Sequence, residues 1–158
     1  MNFNFKAYSL VLLPFLLASC GGGEQQTVDN PITSVLNVNE IAGKRIEEVE
    51  KKLGKGTFEK NWKDQRAGCV SCPKYIYKNG QVEVIFIQDV ADRITINNLG
   101  QYSYPSEALP AIGLENMETE FTNDMVTRWR SINGYREISA FNGQNNKVDY
   151  VLVLTKAN

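Results

Sequence analysis

Two of the three Asn-Gly pairs in the chain, those at 79–80 and 133–134, each separate two segments in which apolar and polar residues alternate. An Asn-Gly pair in this setting is the strongest short-range signal for a β-hairpin, because the tight turn needs a positive φ at both central residues. Alternation in the flanking segments is typical of strands that bury one face. The chain is therefore predicted to contain strands over 75–78, 81–88, 91–97, 125–131, 135–141 and 148–154.

A short amphipathic helix is predicted before the first hairpin, within 41–54. Ile46, Val49 and Leu53 recur at spacings i, i+3 and i+7, which places them on one face of a helix. Gly54 suits the left-handed conformation that ends a helix. Because so short a helix is marginal alone, it must pack on an apolar surface.

A second short helix is predicted before the second hairpin, with Ser106 as its N-cap and Gly113 at its end. Pro110 is tolerated there because amides in the first turn of a helix have no intrahelical partner. The predicted fold class is α+β, with short helices packed on one face of a curved antiparallel sheet. Helix, hairpin and third strand occur twice in this order, which suggests two tandem repeats over 41–99 and 105–156.

The first twenty residues have the pattern of an export signal: one charge at Lys6, an uncharged and largely apolar run over 7–18, and then Cys20. The run is much shorter than the roughly 20 residues that a membrane-spanning helix needs. Leu17-Ala18-Ser19-Cys20 resembles the lipobox of bacterial lipoproteins. The predicted organisation is a signal peptide over 1–19, a lipidated cysteine and flexible tether over 20–39, and one globular domain over 40–158.

The lipoprotein resemblance implies acyl chains on Cys20, whose partner is then membrane lipid. Two or three chains anchor a protein stably, whereas one chain is marginal. Gly21 favours the outer membrane by the same resemblance, and a Gram-positive cell surface is the other setting for such an anchor. The alternative is an unmodified Cys20 in an ordinary secretory signal or in a buried N-terminal helix.

Cys69 and Cys72 are the two other cysteines of the chain. In an oxidising compartment such a pair forms a structural disulfide, which here closes a very small loop. The other interpretation is a redox-active CxxC, although the motif is not at the start of a helix whose dipole could lower a thiol pKa. A zinc site is not predicted, because two cysteines and no histidine fall short of four ligands.

The chain has no histidine and a formal net charge of −1. Without histidine, Ser-His and Cys-His nucleophiles, histidine general bases and histidine-ligated metals are excluded. The glycine motifs that bind phosphates and dinucleotides are also absent from the sequence. We therefore predict no catalytic residue, no metal and no cofactor, and the slightly acidic charge predicts no nucleic-acid partner.

The segment 43–54, a glycine followed by a short helix and a Leu-Gly stop, resembles the opening of the SmpA/OmlA (BamE-like) lipoprotein domain. Two such units in tandem resemble the β-lactamase-inhibitor-protein fold. The resemblance covers 41–97 and, more loosely, 106–154, while the long loop 60–74 with its CxxC departs from it. BamE-like proteins are accessory subunits of outer-membrane protein assembly, and inhibitor-like relatives occlude an enzyme with the open face of the sheet. Both relatives imply a function by contact.

Large amphipathic side chains and arginines are favoured at protein interfaces, and five are candidates for contact with a partner: Tyr102, Tyr104, Trp129, Arg128 and Arg130. Both tyrosines are expected to be exposed because they lie in a linker between the halves; core packing is the alternative for each aromatic residue. Both arginines alternate with Trp129, so they point to the opposite face of a strand.

The predicted function is a membrane-anchored, non-enzymatic protein-binding or envelope-assembly accessory module with an envelope protein as partner. The alternatives are a redox or carboxylate enzyme that uses Cys69 and Cys72 or an acidic cleft, and an inhibitor of a secreted enzyme.

Overall fold

The computed structural model describes residues 32–155, and its strands form one eight-stranded antiparallel sheet. The strands are β1 (Thr57–Asp64), β2 (Cys69–Tyr77), β3 (Val82–Ile87), β4 (Val90–Ile96), β5 (Phe121–Thr122), β6 (Val126–Arg130), β7 (Tyr135–Asn142) and β8 (Val148–Thr155). Their order across the sheet is β1-β2-β3-β4-β8-β7-β6-β5. The order is therefore symmetric about the central pair of β4 and β8.

Two α-helices occur within residues 32–155, α1 (Ile46–Leu53) and α2 (Ala108–Ala111). The first matches its prediction, with Val49 fully buried and Gly54 following at a φ of 85°. The second has only 4 residues. The predicted α+β class, with helices packed on a sheet, is therefore wrong, and the fold is β-rich.

The second predicted helix is cut short by its own sequence. Pro110 has no amide to donate, and Gly113 turns the chain at a φ of 78°. Irregular chain therefore covers much of the sheet where a helix was predicted. Each half of the sheet contains four strands, so the predicted unit of a helix, a hairpin and a third strand is one strand short in each half.

Both predicted hairpins are confirmed. β2 pairs with β3 across Asn79 and Gly80, whose φ values are 53° and 92°. β6 pairs with β7 across Asn133 and Gly134, whose φ values are 47° and 85°. Asparagine and glycine tolerate this left-handed region best, so the two pairs determine where the chain reverses.

The segment 60–74 is not a loop, and this part of the sequence interpretation is wrong. Lys60 lies opposite Lys74, and Trp62 lies opposite Cys72, so β1 and β2 pair through the segment. β1 is an edge strand exposed along most of its length. Its polar sequence has no buried face, and the alternation that indicates a strand is therefore missing.

The hydrophobic core lies on one face of the sheet. Val84, Ile94, Val153 and Ile138 are successive cross-strand neighbours on β3, β4, β8 and β7, and each is fully buried. Residues from outside the strands pack on the same face: Val38, Ile41, Val49, Leu99, Leu109 and Ile112. Because successive residues of a strand point to opposite faces, the intervening strand positions lie on the other face.

Candidate functional site

We call the face of the sheet opposite the core the open face. One row of its side chains crosses β6, β7, β8, β4 and β3 and consists of Arg128, Ser139, Leu152, Thr95 and Glu83. The next row follows the same strand order and consists of Arg130, Glu137, Leu154, Arg93 and Ile85. All of these side chains except Ser139 are half-buried or exposed, so the open face is accessible to solvent.

An apolar strip runs along β8 at the middle of the open face. Leu152 and Leu154 lie there, two residues apart on the same side of the strand. The strip continues at Tyr150, whose ring stacks on that of Phe141 with centroids 4.3 Å apart and planes at 14°. These four side chains are half-buried, which leaves apolar surface available to a partner.

Ion pairs occupy the β6 and β7 side of the strip. Arg130 donates to Glu120 at 3.0 Å and to Glu137 at 3.1 Å, and Arg128 Nε lies 3.9 Å from Glu137. Burial alone would raise the pKa of Glu137, but hydrogen bonds from Ser139 and Arg130 and the charges of both arginines outweigh it and lower that pKa. Glu137 therefore stays ionised and holds both arginines in place.

A second set of ion pairs occupies the β1 to β4 side. Lys74 Nζ lies 2.7 Å from carboxylate oxygens of both Glu59 and Glu83. Burial alone would lower the pKa of Lys74, but these two partners outweigh it and raise that pKa. Arg93 donates to Asp64 at 3.1 Å, and its guanidinium lies over the ring of Trp62.

The Cys69–Cys72 disulfide is confirmed, and it lies at one corner of the open face. Both cysteines are buried in a small cluster with Ile87, against which Trp62 and Ile85 also pack. The pair belongs to the start of β2 and not to a helix N-terminus, so no helix dipole stabilises a thiolate there. This cluster attaches the end of the β1–β2 hairpin to the sheet.

Three of the predicted contact residues are in the core. Tyr102, Tyr104 and Trp129 are only 7%, 6% and 3% exposed, so the expectation that the two tyrosines are exposed is wrong. The Tyr102 hydroxyl donates to the carbonyl of Thr33, and the Trp129 indole donates to the carbonyl of Met117. Their polar atoms thus find partners inside the domain.

Arg128 and Arg130 lie on the open face, opposite in direction to Trp129, as the strand alternation predicts. The other residues of the open face, above all Leu152, Leu154 and Glu137, were not among the predicted contact residues. The sequence does give a signal for Leu152 and Leu154, because the predicted strand 148–154 has apolar residues on both of its faces. A strand covered on one face only would alternate apolar and polar residues. The predicted lipid attachment at Cys20 lies outside the described residues.

No family model, curated protein or solved structure matches this chain. In residues 32–155, neither helix has the length and hydrophobicity that spanning a membrane requires. The same residues contain no group of three or more Cys, Asp or Glu side chains placed to hold a metal ion.

Proposed function

We propose that this protein is a lipid-anchored, non-enzymatic module that binds another envelope protein through the open face of its sheet. The anchor is Cys20, and the outer membrane is the membrane that Gly21 favours in the lipoprotein resemblance. An accessory role in envelope assembly is consistent with such a module. The proposal combines the lipobox pattern of the sequence with the surface described above.

The apolar strip on β8 is the observation that supports binding. Leu152, Leu154 and the stacked Phe141–Tyr150 pair form a contiguous half-buried surface, and contiguous apolar patches of this kind mark interaction sites. Ion pairs lie on both sides of the strip. An apolar centre with a polar rim is the usual anatomy of a protein interface.

Two arginines of the open face are held by ion pairs before any partner arrives. Arg130 is held by two carboxylates, and Arg93 by Asp64 and the ring of Trp62. A long side chain that is already fixed loses little conformational freedom on binding, which favours affinity. Arginine is also among the residues that contribute most to interface energetics.

Site-specific photocrosslinking in intact cells tests the binding surface. A photoreactive amino acid at Leu154 should capture a discrete protein, because that position lies on the strip. The matched control is Phe58, which is 51% exposed but lies on the core side of β1. Capture from Phe58 alone, or capture of no protein from either position, would contradict the proposal.

Fractionation tests the anchor independently. Cys20→Ala should move the protein from the membrane to the soluble fraction, because the acyl chains are attached to that sulfur. Continued membrane residence of Cys20→Ala would overturn the lipid anchor and leave the binding surface to be judged by crosslinking.

A further inference from the structure

We infer that the occupant of the open face is a second copy of this chain, packed face to face about a two-fold axis parallel to β8. This inference rests on the proposed binding role of the open face and names its partner. A two-fold axis requires a self-complementary surface, since each residue must suit the residue that the rotation places opposite it. The two rows of the open face meet this requirement.

The first row is complementary to itself about Leu152. Arg128 lies two strands from β8 on one side, and Glu83 lies two strands from it on the other. Rotation about β8 therefore places Arg128 of one copy opposite Glu83 of the other, and the reverse contact forms at the same time. Ser139 comes opposite Thr95, which pairs two small hydroxyl side chains.

The second row is complementary about Leu154 at its inner positions, while Arg130 comes opposite Ile85 and keeps its own partners Glu120 and Glu137. Glu137 and Arg93 lie one strand from β8 on opposite sides, so the rotation places them opposite each other. Leu152 and Leu154 lie on the axis and meet their own copies. The apolar strip thus becomes the buried centre of the interface, and two pairs of opposite charges border it on each side.

Neighbouring axes fail the same test. An axis along β4 would place Arg93 against Arg93, and an axis along β7 would place Glu137 against Glu137. Like charges face to face repel each other, so both axes are disfavoured. Of β4, β7 and β8, only β8 has an uncharged side chain in both rows. An axis along β8 therefore brings no charged side chain against its own copy.

Two arginines have hydrogen-bonding capacity left over within the described chain. The buried Nε atoms of Arg93 and Arg128 have no hydrogen-bond partner. These are the two arginines that the axis along β8 places opposite carboxylates, Glu137 and Glu83 of the second copy. A carboxylate of the second copy gives each guanidinium a further charged partner.

The interface is small. Five strands about 4.8 Å apart and five residues about 3.4 Å apart give a face of roughly 19 by 14 Å. This size is below that of a standard stable interface, so the dimer is expected to be weak in dilute solution. Anchoring on one membrane raises the local concentration of the two copies, which favours the dimer there.

Disulfide trapping of the full lipidated chain in the membrane tests the inference. Leu152→Cys places two sulfurs at the axis, so a covalent dimer should form in high yield. Phe58→Cys is the matched control, because it is exposed on the other face, and it should give at least about tenfold less dimer. Equal yields from the two variants, or no dimer from Leu152→Cys, would overturn the inference.

Charge exchange identifies the register. In the Leu152→Cys background, Arg128→Glu and Glu83→Arg should each lower the dimer yield by about tenfold or more, because each places like charges opposite each other. The two changes together should restore the yield. The two residues are four strand spacings apart in one chain, about 19 Å, so rescue requires contact between copies. A double variant as poor as the single variants would contradict the register.

The two experiments separate this inference from the proposed function. Photocrosslinking from Leu154 to a different protein, with no trapped dimer, would overturn the two-fold dimer and leave the binding role standing. The Leu152→Cys and Phe58→Cys comparison needs no charge reversal, so it decides the matter even if a charge-reversed variant does not fold.

Discussion

Gly56 lies directly against the ring of Tyr77. A Cβ atom at position 56 would come within 2.5 Å of Tyr77 Cε1 and 2.7 Å of Cζ, which is closer than real contacts allow. Tyr77 is almost completely buried, so its ring has no free space to move into. The absence of a side chain at Gly56 is what allows the start of β1 to pass over this ring.

Gly56→Ala is therefore expected to destabilise the domain by about 1–3 kcal/mol, the usual cost of overpacking a core. The measurement is the midpoint of urea unfolding. Gly100→Ala is the matched control, because nothing lies within 4 Å of a Cβ built there, and it should lose no stability. Equal losses from both variants would show that the ring of Tyr77 is not the cause.

Two buried tyrosines should respond in opposite ways to removal of the hydroxyl group. The Tyr77 hydroxyl is buried without a hydrogen-bond partner, so Tyr77→Phe should be neutral or slightly stabilising. The Tyr104 hydroxyl donates to the carbonyl of Asn123 and accepts from Thr127, both at 2.8 Å. Tyr104→Phe removes both hydrogen bonds and should cost about 1–3 kcal/mol. Denaturant unfolding of the two variants checks the contrast, and a loss in Tyr77→Phe as large as in Tyr104→Phe would refute it.

Tyr135 should make the domain sensitive to alkali. Burial raises its pKa to about 12, and its hydroxyl donates to Asn39 at 2.7 Å. Because the pKa of Tyr135 is higher in the folded protein than in the unfolded chain, its contribution to the free energy of unfolding is complete below the unfolded pKa of about 10. That contribution is lost as the pH rises towards 12.

The alkali sensitivity is tested by comparing the unfolding free energies of the native protein and Tyr135→Phe between pH 8 and pH 12. At pH 8 the native protein should be the more stable of the two, because the variant lacks the hydrogen bond to Asn39. Above pH 10 the difference should shrink, since phenylalanine has no proton to lose. A difference that stays constant across this range would mean that Tyr135 does not titrate with folding.

The Cys69–Cys72 disulfide should contribute modestly to stability. A bridge that closes so short a loop is expected to stabilise by about 2 kcal/mol, at the low end for disulfides. Replacement of both cysteines by alanine should lower the unfolding free energy by about that amount and leave the sheet intact. Circular dichroism checks that the sheet is intact and follows the loss of stability on unfolding. Hydrogen exchange checks the local effect, with faster exchange expected at the end of the β1–β2 hairpin. Loss of the whole fold would show a larger role for the bridge.

The features that the sequence predicts correctly are determined by residues close together in the chain. The turns at Asn79 and Asn133 and the end of α1 at Gly54 each follow from backbone conformations that few residues tolerate. The sequence does not indicate the edge strand β1, because a strand exposed on both faces carries no alternation. The sequence does not indicate the burial of Tyr102 and Tyr104, because that burial depends on segments distant in the chain.

The candidate site could be predicted only in part for the same reason. The directions of Arg128 and Arg130 follow from alternation with Trp129 within one strand. The rows of the open face require the pairing of β4 with β8, whose residues are more than fifty positions apart. No local pattern encodes that pairing, so the neighbours of Leu152 and Leu154 cannot be read from either half alone.

The late position of β8 in the chain also affects how the protein can assemble. Without β8, β4 and β7 each have one unpaired long edge, and no strand pairing joins the two groups of strands within residues 32–155. Such exposed edges favour pairing with other chains. Completion of the sheet therefore depends on β8. Loss of part of 148–155 would leave two groups of strands whose exposed edges favour pairing with other chains.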